Sequence, residues 1–453
     1  MGRVLDDAVD TNLTEATAPG LMSPADAEEA YEKFVWDNLP RNFAGHFLHG
    51  MLGMTGFRIF NAPTFLPAYL HLISPPGFSS LIVGGGQALQ SLGAIFSPVV
   101  GAAQVEHRKK VLPVSMLMGT LMRVQILLIA LAAWFLHGPL LVAGILVCLF
   151  LLGVFQGAQG VAFQMLLAKV IPTQRRGLLQ ALRNFFGGLV SMGLAYVAGR
   201  YLIGDNVFGN GYATTFILAA ILTSLGLTAL AMLMREPEPP TVKVRARTWD
   251  RMREFPALMR ADRGYMFFMI AQTCATAGRI GAPFYILFAA HVMPITGHGG
   301  GANLGLLASV LFGGDSFSNL IWGTIGDRFG FRASFVGAMA LWIVSTLLLL
   351  LAHSEAPVVI AFIGLGAAQA GFQMSSQTMV LEFGARDDVP MRLGLSQTAQ
   401  GVMNTAGPFV GGVIATFAGY VPVFILSMVF EALALGLLIF IVDEPRYRNR
   451  RAV

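Results

Sequence analysis

Charged residues are scarce in this sequence: Asp, Glu, Lys and Arg make up only 12% of its 453 residues. An average soluble domain carries roughly 25%. Hydrophobic residues reach 55%, and the mean hydropathy is +0.65. This composition excludes a soluble enzyme, a disordered protein and a nucleic-acid-binding protein. The basic pI of about 9.4 therefore needs another explanation.

Cysteine is nearly absent as well. Cys148 and Cys274 both lie within long apolar runs, which excludes a disulfide framework, and the sequence has no C-x-x-C motif. It also lacks a Walker A motif, the DFG and associated motifs of protein kinases, and a Ser, His and Asp arrangement typical of hydrolases. We therefore expect no enzymatic activity, no ATP-driven transport, and neither a cofactor nor a metal site.

Long apolar runs, by contrast, are abundant. We count twelve, each long enough for a membrane-spanning helix, which needs about 20 residues. Their length and their lack of period-two alternation favour helices over strands. The runs cover residues 43–73, 78–103, 111–136, 139–168, 178–203, 212–234, 265–293, 303–326, 333–352, 357–383, 393–417 and 421–442. The sequence thus predicts an all-α integral membrane protein with twelve transmembrane helices.

The distribution of Lys and Arg predicts the topology. When the N-terminus is placed inside, 26 of the 30 basic residues lie in inner segments, three lie within helices, and Arg200 alone lies in an outer loop. Membrane proteins carry such an excess on the cytoplasmic side. We therefore expect both termini to be cytoplasmic, and the basic pI reflects topology.

The same runs divide the chain into five parts. The acidic N-terminus has no apolar segment, unlike a signal peptide, and Ser23-Pro24-Ala25-Asp26 predicts the start of a short surface helix. We expect a cytoplasmic tail with this helix at 1–42, a six-helix bundle at 43–234, a basic cytoplasmic linker at 235–264, a second six-helix bundle at 265–442 and a basic cytoplasmic tail at 443–453.

The two halves repeat one another, which indicates a duplication. Matching segments are separated by 208 to 221 residues, as small insertions and deletions would give. They are 58–63 with 279–283, 158–165 with 368–374, 177–183 with 394–400, and 236–237 with 444–445. A single pair is a weak signal, but four pairs in register predict two pseudo-symmetric bundles.

The loop between helices eight and nine carries a family signature. The sequence Gly323-Thr-Ile-Gly-Asp327-Arg328-Phe-Gly330-Phe-Arg332 resembles the G-x-x-x-D-R-x-G-x-R motif of the major facilitator superfamily. The resemblance covers about 43–445 and implies two bundles that work by alternating access. It also implies a cytoplasmic gating latch between this loop and the start of helix eleven. The latch residues would be Asp327, Arg328, Arg332 and Arg392.

Two arginines lie deep in the predicted bilayer, where an ionisable residue is expected to have a function. Arg58 and Arg279 are each about 22 Å from the predicted cytoplasmic end of their helices, at 1.5 Å per residue. The resemblance implies that helices one, four, seven and ten line a central cavity. The two arginines, with Asn61 one turn beyond Arg58, could then bind an anionic substrate. The alternative is that each arginine is structural.

Further polar residues fall on the same predicted helices or on their neighbours. Asp315, about 18 Å into helix eight, is a candidate coupling residue that carries a proton, or else a fixed counter-ion for Arg279. Four glutamines on helices four and ten are candidates for substrate binding, with interhelical hydrogen bonding as the alternative. They are Gln159, Gln164, Gln369 and Gln373.

We therefore expect a secondary transporter of a small organic solute, driven by H+ or by exchange with a counter-substrate. One alternative is an exporter or flippase of hydrophobic or lipid-like compounds, with structural arginines. Another is a transporter-like receptor or assembly factor that transports nothing. In each case we expect a monomer in the lipid bilayer of a cell inner membrane, without nucleic acid.

Overall fold

The computed structural model describes residues 24–61, 63–105, 108–238, 259–260, 262–297, 299–383 and 389–444. Within these ranges the regular structure is helical, and no strand forms. Residues 1–23 of the expected N-terminal tail, residues 445–453 of the expected C-terminal tail and most of the expected linker (239–258 and 261) lie outside the described residues. The surface helix predicted at Ser23-Pro24 is present as α1, Pro24–Asp37.

The helices of the first half follow the predicted runs closely. They are α2 (Leu39–Asn61), α3 (Phe65–Ile73), α4 (Ser79–Val105), α5 (Leu112–Phe135), α6 (Gly138–Val170), α7 (Thr173–Val197), which continues as a π-helix over Ala198–Gly204, and α8 (Gly211–Leu233). The first run is thus split between α2 and α3. The break lies next to Pro63, because proline removes a backbone donor and disfavours the helical conformation in the residue before it.

The second half has the same order of helices. They are α9 (Arg263–Gly278), a 3₁₀ helix (Arg279–Phe284), α10 (Tyr285–Ala289), α11 (Gly300–Phe329), α12 (Phe331–Leu350), α13 (Glu355–Glu382), α14 (Val389–Ala418) and α15 (Tyr420–Phe440). The seventh run is therefore interrupted like the first, here at a 3₁₀ segment that contains Pro283. Nine helices among the described residues are long and apolar enough to cross a membrane.

Helix packing repeats between the halves. In the first half, α2 packs against α7 and α8, and α6 packs against α4 and α5; in the second half, α9 packs against α14 and α15, and α13 packs against α11 and α12. Contacts between the halves are made mainly by α4 with α14 and by α7 with α11. The internal repeat in the sequence therefore corresponds to a repeat in packing.

The Glu-Pro repeat has a structural role in both halves. The carboxylate of Glu236 accepts hydrogen bonds from the amides of Val111 (2.7 Å) and Leu112 (2.8 Å) at the start of α5. It also binds Lys169 Nζ at 3.0 Å. In the second half, Glu444 accepts a bond from the amide of Arg332 in the first turn of α12, at 3.1 Å. Each carboxylate thus satisfies free amides at a helix N-terminus, where negative charge is stabilising.

Glu236→Ala is expected to lower the free energy of unfolding by about 1–3 kcal/mol, because two backbone amides and Lys169 lose their acceptor. The matched control is Glu238→Ala, two residues away. Glu238 pairs with Lys110, but both side chains are more than half exposed, so little change is expected. Thermal unfolding of the purified protein in detergent measures both variants. Equal melting temperatures for the two would contradict this role of Glu236.

Candidate functional site

A polar cavity of about 580 Å³ lies between the two halves. It lies in the size range of small-molecule sites, roughly 300–1,000 Å³. Its walls come from α2, α6 and α7 of the first half and from α11 and α13 of the second. The polar and charged residues that line it are Arg58, Asn61, Gln156, Gln180, Asn184, Asp315, Asn319, Gln369, Gln373, Gln377 and Thr378.

An ion pair crosses this cavity from one half to the other. Arg58 Nη2, on α2, binds Asp315 Oδ2, on α11, although the residues are 257 positions apart. Arg58 Nη1 also donates to Ser316 Oγ at 3.2 Å. The two charged side chains are 19% and 17% exposed, so solvent screens them only weakly. The sequence does not indicate this partner for Arg58, and the alternative pairing of Asp315 with Arg279 is wrong.

The wall around this ion pair requires a glycine. Gly188, on α7, lies against Ser316, and a Cβ built there would overlap Ser316 Oγ and lie 2.9 Å from Arg58 Nη1. Three helices therefore meet closely at the charged pair, and the pair lies at the interface between the two halves.

Arg279 is in a different position. It follows the last residue of α9, where the α-helix gives way to the 3₁₀ segment. Its guanidinium lies over the ring of Phe372, 5.6 Å from the centroid, and its buried Nε has no hydrogen-bond partner among the described residues. Arg279 is not among the residues that line the cavity. The structure therefore does not bring the two arginines together around one space.

Only two of the four candidate glutamines line the cavity. Gln369 and Gln373, one turn apart on α13, both line the cavity. Gln159 is buried at 6% exposure, Gln164 is exposed, and neither lines it. On α6 it is Gln156 that reaches the cavity, so the expectation chose the correct helix but the wrong face.

Sequence reasoning also missed the carboxamides outside helices one, four and ten. Gln180 and Asn184 lie one turn apart on α7, and Asn319 lies one turn after Asp315 on α11. A carboxamide within a predicted membrane run was the available signal. The family resemblance does not indicate these residues, because it assigns the cavity to other helices.

Two of the four expected latch residues have other partners. Arg332 donates to the carbonyls of Leu438 and Ile439 at the end of α15, both at 2.7 Å. The guanidinium of Arg392 binds Asp262 at 3.1 Å and lies over the ring of Tyr265. Asp327 and Arg328 are exposed, and neither has an ion pair within the described residues. A latch between the two segments is not formed in this conformation of the described chain.

The halves are closed at one end and apart at the other. At the ends predicted to be outer, Ser80 donates to Tyr420 at 3.2 Å, and Ser309 donates to the carbonyl of Met192 at 2.6 Å. Toward the opposite ends, the cavity residues Gln180, Gln373 and Gln377 are exposed. The cavity therefore opens on the side of the basic loops.

Solved structures of transporters share this fold. A mutant of the nucleoside transporter NupG superposes with a TM-score of 0.69 at 13% identity, over 88% of this chain and 99% of the other. A D-xylose-proton symporter gives 0.67 at 17% identity, over 90% and 99%. A POT family transporter in complex with 5-aminolevulinic acid gives 0.63 at 13%, over 90% and 96%. No curated protein sequence matches.

Repeated helical halves surround a polar cavity in a chain with several helices apolar enough to cross a membrane, which is the architecture of a multi-pass membrane transporter. The family model of the Major Facilitator Superfamily matches residues 47–299 and 268–453. The chain belongs to this superfamily, as the motif around Asp327 predicted.

Proposed function

We propose that this protein is a secondary active transporter that moves a small organic solute by alternating access, with Asp315 and Arg58 as its coupling pair. The observation that carries the proposal is the ion pair between the halves at the wall of the cavity. Because the pair joins α2 to α11, neutralising Asp315 with a proton weakens a contact that must break when the halves rearrange. Proton binding and movement are thereby linked.

The structural relatives support both parts of this proposal. Their printed names describe a nucleoside transporter, a D-xylose-proton symporter and a transporter in complex with 5-aminolevulinic acid. All are small solutes, and one protein is coupled to protons. At 12–17% identity the substrate itself does not transfer.

We further infer twelve spans in two six-helix bundles, with the boundaries predicted above and both termini on the cytoplasmic side. The interrupted first and seventh runs then each count as one span. The charge distribution supports this orientation, in which the open side of the cavity would face the cytoplasm. A bacterial inner membrane is the compartment that we propose.

The alternative cargo, a hydrophobic or lipid-like compound, fits the cavity poorly. Eight of the lining residues are carboxamides, and an apolar cargo would strip them of water without replacing their hydrogen bonds. The apolar groove of about 450 Å³ between α5 and α8 is a separate space.

The other alternative is a receptor that transports nothing. Saturable uptake of a solute by the purified protein would exclude it.

The test is uptake into proteoliposomes with a pH gradient, using uridine, D-xylose, 5-aminolevulinic acid and glucose 6-phosphate as probes. The wild type is expected to accumulate at least one probe severalfold above equilibrium. Asp315→Asn should still exchange that probe across the membrane but should not accumulate it, because the coupling proton has no acceptor. Asp443→Asn, an exposed carboxylate after α15, is the matched control.

Accumulation by Asp315→Asn equal to that of the wild type eliminates coupling through this residue. Absence of saturable uptake of every probe by the wild type contradicts the transporter proposal and favours the receptor alternative.

A further inference from the structure

We propose that the cavity selects an uncharged solute rich in hydroxyl or amide groups, of monosaccharide to nucleoside size. This inference rests on the proposed function and names the substrate class of the same site. It differs from the anionic solute that Arg58 and Arg279 suggest in the sequence.

The charge balance of the cavity is the first argument. Arg58 and Asp315 are the only charged residues among the described ones that line it, and they neutralise each other. Arg279 lies over the Phe372 ring instead. A charged solute entering this space would lose its hydration shell and find no free opposite charge. The site therefore penalises a solute of either sign.

The second argument is the set of carboxamides. Such a group both donates and accepts hydrogen bonds but carries no net charge, so it matches hydroxyl, carbonyl and amide groups of a solute. On α13 three of them recur every four residues and form one stripe along the helix. The eight cavity carboxamides are Asn61, Gln156, Gln180, Asn184, Asn319, Gln369, Gln373 and Gln377.

Several of these groups form long side-chain hydrogen bonds, mostly with neutral partners; the exception is Gln180 Oε1, which accepts from Arg183 Nη1 at 3.4 Å. Gln377 Nε2 donates to Gln373 Oε1 at 3.3 Å, and Gln180 Nε2 donates to Asn184 Oδ1, also at 3.3 Å. Such long bonds between neutral groups exchange readily for bonds to a solute. Asn61 Oδ1 is buried without any hydrogen-bond partner in the described structure, so it can accept a hydrogen bond from a solute.

Apolar walls complete the site. Phe57, Phe312 and Met374 line the same space and offer surfaces for the carbon face of a sugar ring or for a planar base. While Asp315 is ionised, Arg58 stays paired with it, so the pair presents no net charge to a solute that lies against these walls.

The test compares solutes that differ mainly in charge. Purified full-length protein is titrated with glucose, glucosamine and glucuronate, and separately with uridine and uridine 5′-monophosphate, over a millimolar range. Thermal stabilisation and competition for proteoliposome uptake are both measured. Glucose or uridine is expected to bind severalfold to tenfold more tightly than its charged counterparts.

A charge placed in the cavity wall should change the order of affinities for neutral and charged sugars. Gln373→Glu, at an exposed position that tolerates a carboxylate, is expected to weaken glucose binding severalfold relative to glucosamine. Gln369→Ala should weaken glucose binding without favouring any charged sugar. The control is Gln174→Glu, at an exposed residue of α7 that is not part of the cavity.

The outcomes separate the two proposals. Binding of glucose or uridine without uptake keeps the substrate class and contradicts transport. Uptake of glucuronate or uridine 5′-monophosphate in preference to the neutral probes keeps transport and overturns the class. Failure of both neutral probes to bind also overturns it, as does an unchanged order of affinities in Gln373→Glu.

Discussion

Replacing Arg58 by Gln is expected to lower the free energy of unfolding by about 3–5 kcal/mol. The change leaves the carboxylate of Asp315 in a cavity wall where it is only 17% exposed and has lost its charged partner. An uncompensated charge in such a place is more costly than no charge, because the attraction that offset its desolvation is gone. The loss should be visible as a markedly lower melting temperature in detergent.

The double variant Arg58→Gln/Asp315→Asn is expected to recover most of that loss. Two neutral side chains can hydrogen-bond to each other and need little hydration, whereas either single variant retains one charge. Comparison of the two singles and the double gives the coupling energy between the residues. Full additivity of the two single losses would contradict an energetically important pair.

The exposed pair of Arg200 and Asp205 is the matched control for this cycle. These side chains are 42% and 41% exposed; Arg200 lies within the π-helix and Asp205 directly follows it. Arg200→Gln should change the melting temperature little, because water screens an exposed pair and replaces its hydrogen bonds. A large loss there would show that any Arg-to-Gln change destabilises the protein.

The same ion pair shows what sequence reasoning can and cannot find. The depth of Asp315 and Arg58 follows from counting along their helices, which identifies both as candidates. It does not identify the partner of each, because helix order suggests that residues on neighbouring helices meet. The actual contact joins helices from different halves, and the packing of α7 against both α2 and α11 brings these two helices together.

Faces of helices are predictable where the spacing is regular. Gln369 and Gln373 are four residues apart on α13, and they share the cavity face. Gln159 and Gln164 are five residues apart, which turns them away from a common face, and neither lines the cavity. The Glu-Pro repeat at 236 and 444 is visible in the sequence, but its role as a cap for α5 and α12 depends on the way each half closes on itself.

Glycines at the closed end of the molecule provide the second large expected effect. Gly199 in the π-helix and Gly305 on α11 bring the two backbones into direct contact, and a Cβ on Gly305 would lie 2.8 Å from the Cα of Gly199. Real Cβ contacts of this length are not tolerated when the neighbour is backbone. Gly199→Leu should therefore prevent the two halves from meeting at this end.

The variant is expected to fold, to lose transport, and to close at the end where the cavity is now open, since the proposed alternating access joins the two ends in one equilibrium. The matched control is Gly193→Leu, on the preceding helix α7, where a Cβ meets no atom of the described structure within 4 Å. It should retain wild-type transport.

Accessibility of a cysteine in the cavity measures this shift directly. With Cys148 and Cys274 replaced by serine, a cysteine substituted for the exposed cavity residue Gln377 should react readily with a maleimide reagent in the otherwise unchanged protein. Its labelling rate should fall severalfold when Gly199→Leu is added and should stay the same with Gly193→Leu. Unchanged labelling together with wild-type transport in the Gly199 variant would show that this glycine contact does not hold the closed end shut. The halves would then have to be held together there mainly by α4 and α14, where Gly84 and Gly412 make the equivalent close approach.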